Sequence, residues 1–214
     1  MSAPDAGELL RRGAASIGCA LDGAQTDTLL AYLRLLQRWG RVYNLTALRE
    51  PRELVTHHLL DSLAVVPSLR RQTGGRPFRL LDVGSGAGLP GLVVAAALAQ
   101  AQVTCIDAAA RKAAFIRQAT IELGLKNATA AHARVEQLRG PHFHIVVSRA
   151  FASLDEFTRL TEHLLEEGGA WLAMKARPSP DELGACRIAE VFHVEQIDVP
   201  YLAAARCLIW LCRR

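Results

Sequence analysis

The sequence predicts an α/β protein: a seven-stranded sheet of five parallel strands followed by an antiparallel C-terminal pair, behind an N-terminal helical extension. Three observations predict it. Short apolar runs alternate with helix-patterned segments from Phe78 to Lys175, as expected of parallel strands joined by right-handed helical crossovers. The last two apolar runs, 189–198 and 206–211, are joined by a loop containing Pro200 with no helix between them, and strands joined so briefly run antiparallel. The chain before Gly74-Gly75 has helical periodicity and no alternating strand pattern.

In order along the chain, segments 5–20 and 25–39 carry apolar stripes at helical spacing, Leu9, Leu10 and Ile17 in the first and Leu29, Leu30, Leu33 and Leu36 in the second. Asp22-Gly23 separates them, and either Thr26 or Asp22 caps the second helix. Trp39 to Thr46 closes that helix and opens a loop, in which Asn44 and Thr46 are ordinary turn and cap residue types. Pro51 opens a further helix with Leu54, Val55, His58, Leu59, Ser62 and Leu63 on one face. His57, His58 and Asp61 fall within one turn and read as a partly buried polar cluster ahead of catalytic groups. The adjacent histidines point to different sides of a regular helix, which argues against a shared metal ion. Strands are expected at 78–83, 102–107, 128–132, 143–148 and 170–175, with helices at 90–99, 111–123 and 155–166 and a short piece near 134–139. The expected division is a helical extension over 1–75 and a ligand-binding α/β domain over 76–214.

The first strand runs into Asp82-Val83-Gly84-Ser85-Gly86-Ala87-Gly88-Leu89-Pro90-Gly91. Alternate glycines release the backbone into positive φ and remove the Cβ atoms that would hold a ligand away from the main chain. Gly86 to Gly91 matches the dinucleotide pattern GxGxxG, in which pyrophosphate sits on the helix N-terminus. Counted from Gly84, the glycine that follows the strand, that pattern fails at Leu89. The series led by Asp82 instead matches (D/E)xGxGxG, motif I of the class I S-adenosylmethionine-dependent methyltransferases, and the expected fold is their Rossmann-like sheet. A dinucleotide-binding domain normally continues with a helix and a sixth parallel strand, so the C-terminal pair favours the methyltransferase reading.

Composition narrows the function class. The chain has 214 residues, half of them hydrophobic, ample for a sizeable core. It shows no signal segment and no apolar run of the roughly 20 residues needed to span a bilayer, so a cytoplasmic location is expected. Five scattered cysteines without CxxC spacing read as buried free thiols, and no metal site is expected. Net charge is +4, yet between Arg34 and Arg76 eight arginines (34, 38, 41, 49, 52, 70, 71, 76) face only Glu50, Glu53 and Asp61. Such a concentration is either a phosphate-backbone footprint or a solvated helix face.

Ligands of open α/β sheets lie beyond the carboxyl ends of the strands. Asp107 ends the second strand 23 residues after Gly84, where a carboxylate accepts from both ribose hydroxyls of an adenosine; capping of the following helix is the competing role. Arg134-Val135-Glu136, after the third strand, supplies backbone N–H groups and an apolar wall for adenine. Arg149 ends the fourth strand, where it either orients a base or cofactor, or pairs with Asp82 or Glu136 to hold strand ends together.

Asn44-Leu45-Thr46, His58-Leu59-Leu60-Asp61-Ser62, the Asp82 to Gly91 turn, Arg134-Val135-Glu136 and Ser148-Arg149-Ala150-Phe151-Ala152 together resemble the bacterial small-subunit ribosomal RNA guanine-N7 methyltransferases, the glucose-inhibited division protein B family. The likeness runs from the second helix to the C-terminus. It departs at Lys175-Ala176-Arg177, where the family usually has Lys-Gly. The resemblance implies S-adenosylmethionine as cofactor, 16S rRNA or the small ribosomal subunit as partner, and N7 of one guanine in the decoding-region loop as target. It implies cofactor contacts at Gly84, Ser85, Gly86, Gly88, Leu89, Asp107, Ala108, Val135, Glu136 and Arg149. Arg149 and Lys175 are the implied substrate-orienting groups, and Asn44, His57, Arg41 and Arg117 the implied RNA contacts. A monomer without metal is expected. A protein or small-molecule methyltransferase, a nicotinamide-dependent oxidoreductase and a non-enzymatic RNA-binding assembly protein are the alternatives.

Overall fold

A computed structural model describes residues 5–40, 45–48, 50–151 and 153–214. Helix α1 (Ala6–Ser16) and helix α2 (Gly23–Trp39) come first. Asp22 is the cap of α2: its carboxylate accepts from Gln25 N and the Gln25 side chain accepts from Asp22 N, while the Thr26 hydroxyl only donates back to the Asp22 carbonyl. Gln25 also donates to the carbonyl of Ala97, tying α2 to the helix that follows the glycine-rich turn.

A composite helix follows, made of α3 (Pro51–Leu54), a π-helical turn (Val55–Leu60) and α4 (Asp61–Leu63), then α5 (Val66–Thr73). Gly74 at φ 59° ends α5. Alternation then begins: β1 (Phe78–Val83), α6 (Gly91–Ala97), β2 (Ala101–Asp107), α7 (Ala110–Glu122), β3 (Ala128–His132), β4 (Phe143–Ser148), α8 (Leu154–Thr161) and β5 (Leu165–Lys175). The short α9 (Pro180–Gly184) precedes β6 (Ala189–Ile197) and β7 (Arg206–Arg213).

The sheet order is β3-β2-β1-β4-β5-β7-β6, parallel through β5, with β7 antiparallel to both β5 and β6. Two boundaries differ from the sequence reading by five residues. β5 begins at Leu165 because Leu165 pairs with Phe143 before the register shifts, and the intervening Glu-Glu-Gly-Gly, with Gly168 at φ 73°, forms an irregularity that local composition reads as a loop. α8 ends at Thr161 rather than 166, followed by a 3₁₀ turn Glu162–Leu164; the Thr158 and Thr161 hydroxyls bond back to the Leu154 and Phe157 carbonyls in its last turns.

Each face of the sheet buries its own core. On one, Leu80, Val103 and Leu172 pack with Leu36 of α2, Leu59 of the π turn, Val93 of α6 and Ile116 of α7. On the other, Leu81, Val146 and Trp171 pack with Phe157 of α8. The helical extension therefore covers one face of the sheet, and Trp210 Nε1 donates to Ser68 Oγ of α5 to fix it. Phe78, Leu80 and Asp82 alternate toward that face. Asp82 thus projects inward beneath the glycine-rich turn and α2.

Candidate active site

Two adjoining cavities open at the carboxyl ends of β1 and β4, the neighbours at which the strand order reverses. The larger is about 530 Å³ and the smaller about 200 Å³, and Gly84 and Ala150 belong to the walls of both.

The glycine-rich turn is locked from beneath. The Ile106 carbonyl accepts from Gly84 N and Ser85 N at 3.0 and 3.1 Å, and Ser85 Oγ donates to the Asp82 carbonyl at 2.7 Å. The Tyr32 hydroxyl donates to the Ala87 carbonyl. Gly84 faces Ala150, where any Cβ would come within 2.9 Å of the alanine methyl. Ser148 holds that approach: its hydroxyl donates to the Val83 carbonyl at 2.8 Å and accepts from Ala150 N at 3.0 Å. Gly86 differs, with φ 60° and no atom within 4 Å of where a Cβ would be, so it leaves the turn open on its cavity side. Gly88 lies against Leu92 and lines neither cavity; its role here is packing.

Asp107 does not cap α7, whose N-cap is Ala109 with no side-chain cap bond; it braces the backbone at Gly86 and Ala109 and keeps acceptor capacity. Its Oδ1 accepts from Ala109 N at 2.9 Å and its Oδ2 from Gly86 N at 3.0 Å. A carboxylate offers about four acceptor positions, so two remain beside the smaller cavity. That cavity has apolar walls from Ile106, Val135, Phe151 and Leu160, and Ala108, Arg134 and Glu136 complete its rim. An apolar slot beside a carboxylate with spare acceptors fits an adenosine, the base between the walls and the ribose hydroxyls on Asp107.

The larger cavity is polar. Arg149 Nη1 donates to Asp61 Oδ2 at 3.0 Å and Arg206 Nε to Asp61 Oδ1 at 2.8 Å, so one buried carboxylate carries two guanidiniums. The partner of Arg149 is thus Asp61, not the Asp82 or Glu136 considered from sequence. Asp61 reaches it from the helical extension, a distance in sequence that strand-end reasoning does not cover. Lys175 lines the same cavity with its ammonium 2.5 Å from Glu182 Oε1 of α9. Ser85 and Leu89 are also on its wall.

Both His57 and His58, on the π turn Val55–Leu60, border this cavity but have different partners, His57 Nδ1 lying 2.9 Å from Thr56 Oγ1. His58 Nε2 is 2.8 Å from Thr46 Oγ1, and its Nδ1 is buried without a partner. Burial, reinforced by the nearby Arg149 charge, lowers the His58 pKa to about 4, so the ring is neutral at physiological pH. Burial raises Asp82 to about 6 against the opposing hydrogen bond from Gly91 N and the Arg149 charge, and Asp82 Oδ1 has no partner.

Arg117 is exposed on α7, whose Ala113, Ile116 and Ala119 face the core, and it borders neither cavity. Arg41, Asn44 and Arg49, together with Ala152 of the fourth-strand motif, lie outside the described residues. Of the remaining arginine cluster, Arg34, Arg38, Arg52, Arg70 and Arg76 are exposed, and Arg71 pairs with Glu195 at 2.6 Å. Sequence reasoning passed over Asp61 as a site residue and missed Arg206. The HLLDS segment that contains Asp61 was a usable signal; Arg206 sits in a featureless run. Among the described residues no cluster of His, Cys, Asp and Glu could hold a metal ion, and no helix is long and apolar enough to cross a membrane.

This sheet, with its glycine-rich turn and paired cavities, defines a class I S-adenosylmethionine-dependent methyltransferase fold. Solved structures share it: TrmN from Thermus thermophilus at a TM-score of 0.57, 19% identity, 75% of this chain and 53% of that one. A SAM-dependent methyltransferase from Geobacter sulfurreducens in complex with S-adenosyl-L-homocysteine superposes at 0.51, with 13% identity over 69% of this chain and 91% of that one. The chain belongs to the rRNA small subunit methyltransferase G family, whose model matches residues 25–209. The ribosomal RNA small subunit methyltransferase G of Leptothrix cholodnii is 52% identical to it over 209 residues, 97% of this chain and 95% of that protein.

Proposed function

We propose that this chain transfers the methyl group of S-adenosylmethionine to N7 of a guanine in the decoding-region loop of 16S rRNA, acting in the cytoplasm as a monomer. The observation that carries the reading is the pair of cavities meeting at Gly84 and Ala150, one an apolar slot beside Asp107 and one larger and polar, in a chain matched by the family model over residues 25–209.

The cofactor supplies an electrophilic methyl group on a sulfonium. Guanine N7 carries an in-plane lone pair and no proton, so the chain needs no general base. With its pKa lowered to about 4 His58 is a weak base, and Lys175 is paired with Glu182, which suits that requirement. The protein's work is alignment, an effective-molarity effect. Asp107 holds the ribose, Gly86 leaves room above the turn, and Arg149 places a planar donor fork where guanine O6 or the cofactor carboxylate would sit. Asp61 holds Arg149 in that place.

Calorimetric titration with S-adenosylhomocysteine and with NAD, followed by methylation of small-subunit RNA and mapping of the modified atom, tests the reading. Binding of the first compound alone and a single N7-methylguanine are expected. Binding of NAD, or a methyl group on another atom, overturns it.

A further inference from the structure

Beside the larger cavity lies a basic hollow that the reading above leaves without a task. It measures about 500 Å³ and shares Ala176 and Arg206 with its neighbour. Pro178, Leu183, Val194 and Ile197 give it an apolar surface, and Val194 is 40% exposed although it is aliphatic. Both charged side chains on its wall, Arg177 and Arg206, are cations. Among the described residues Arg177 has no ion-pair partner, and the Gln196 amide, also on the wall, makes no side-chain hydrogen bond. Arg206 donates through Nε to Asp61 and through Nη1 to the Ala205 carbonyl, and among the described residues its Nη2 makes no hydrogen bond.

We propose that this hollow binds the nucleotide adjoining the target guanine in the same RNA strand, its base against Val194 and Pro178 and its phosphate between Arg177 and Arg206. The inference rests on the RNA-methylating reading and deepens it. A guanine that enters a recess at the strand ends leaves its stack, and its neighbour loses a stacking partner with it. An apolar surface continuous with that recess takes up part of the lost contact, at the place where many proteins that bind single strands present aromatic side chains. The cation-only charge suits a phosphodiester, and Gln196 is left to hydrogen-bond a base edge. Arg206, common to both hollows, then links selection of the target to seating of its neighbour.

The test uses the full chain with saturating S-adenosylhomocysteine and the single-stranded RNA heptamer UUUGUUU, read by fluorescence anisotropy. Matched heptamers carry an abasic site on the 5′ or on the 3′ side of the guanine. In the wild type, one of the two abasic heptamers is expected to bind about fivefold or more weakly than the parent. Val194→Glu, at an exposed position on the edge strand, is expected to weaken the parent heptamer and abolish its sensitivity to the abasic site, with S-adenosylhomocysteine affinity unchanged. Arg177→Ala is expected to flatten the log–log salt slope by about 0.7, the value for one phosphate contact on a single strand. Wild-type affinity in both variants, or an abasic loss in Val194→Glu as large as in the wild type, overturns the proposal while leaving the methyltransferase reading intact. Failure of the wild type to bind the heptamer or S-adenosylhomocysteine counts against that reading itself, and this inference falls with it.

Discussion

The guanidinium of Arg149, at the end of β4, is anchored on the carboxylate of Asp61, at the end of the π turn, with Nη1 and Oδ2 3.0 Å apart. Arg149→Lys keeps a cation opposite Asp61 and loses the planar fork. Methyl transfer to small-subunit RNA is expected to fall by about tenfold or more, equivalent to roughly 1.4 kcal/mol of transition-state stabilisation, with the melting temperature nearly unchanged. Activity and melting temperature measured side by side decide it. Proportional losses would make Arg149 part of the scaffold, and full activity would remove it from the site.

Asp61→Asn leaves two guanidiniums sharing one neutral acceptor. Because Asp61 is 3% exposed while its partners are about a quarter exposed, the loss in stability is expected at about 1.5–3 kcal/mol, the range for a hydrogen bond to a charged group. Urea unfolding measures it, and a change below the error of the method would show that solvent already screens the cluster.

Two glycines of the turn are expected to fail in opposite ways. At Gly86 a Cβ meets no protein atom, so Gly86→Val costs about 1–2 kcal/mol for a side chain at positive φ and fills the cofactor's space, abolishing S-adenosylhomocysteine binding in a folded protein. At Gly91 a Cβ would strike Cys105 Sγ and lie 2.8 Å from Asp82 Oδ2, so Gly91→Ala is expected to lose the fold first. Thermal melts and calorimetry on both variants check the contrast.

Asp107→Ala is expected to weaken S-adenosylhomocysteine by roughly 1.5–3 kcal/mol and to lower the melting temperature, because Gly86 N and Ala109 N lose their acceptor. Asp107→Asn, which keeps one acceptor, is expected to regain stability more than affinity. Calorimetry showing unchanged affinity in both variants would leave Asp107 with its two backbone N–H partners alone.

His58 and Asp82 make opposing contributions to acid stability. As pH falls from 6.5 toward about 4, an unfolded His58 takes up a proton that the folded one refuses, so stability is lost. As pH falls through about 6 toward 3.8, folded Asp82 takes up a proton that the unfolded one refuses, so stability is gained. Asp82→Asn is therefore expected to steepen the fall in melting temperature between pH 6 and 4, and His58→Gln to flatten it. Parallel curves for wild type and both variants would show that neither group carries the shift.

The sequence alone determined the sheet and the position of its cofactor turn. Strand 78–83, the alternate glycines after Asp82 and the helix-free link between the last two strands are local patterns, and local sterics and periodicity dictate what they form. Asp107 was legible for the same reason, since a carboxylate at a strand end has few tasks, and it braces Gly86 N and Ala109 N while bordering the smaller cavity. Tertiary structure alone decided the composition of the larger cavity. Asp61 and Arg206 lie 145 residues apart and meet only because the helical extension packs across the sheet and β7 returns antiparallel beside β5. No local periodicity encodes such a meeting. The π turn was equally hidden, because a one-residue widening of a helix leaves the apolar stripe almost intact.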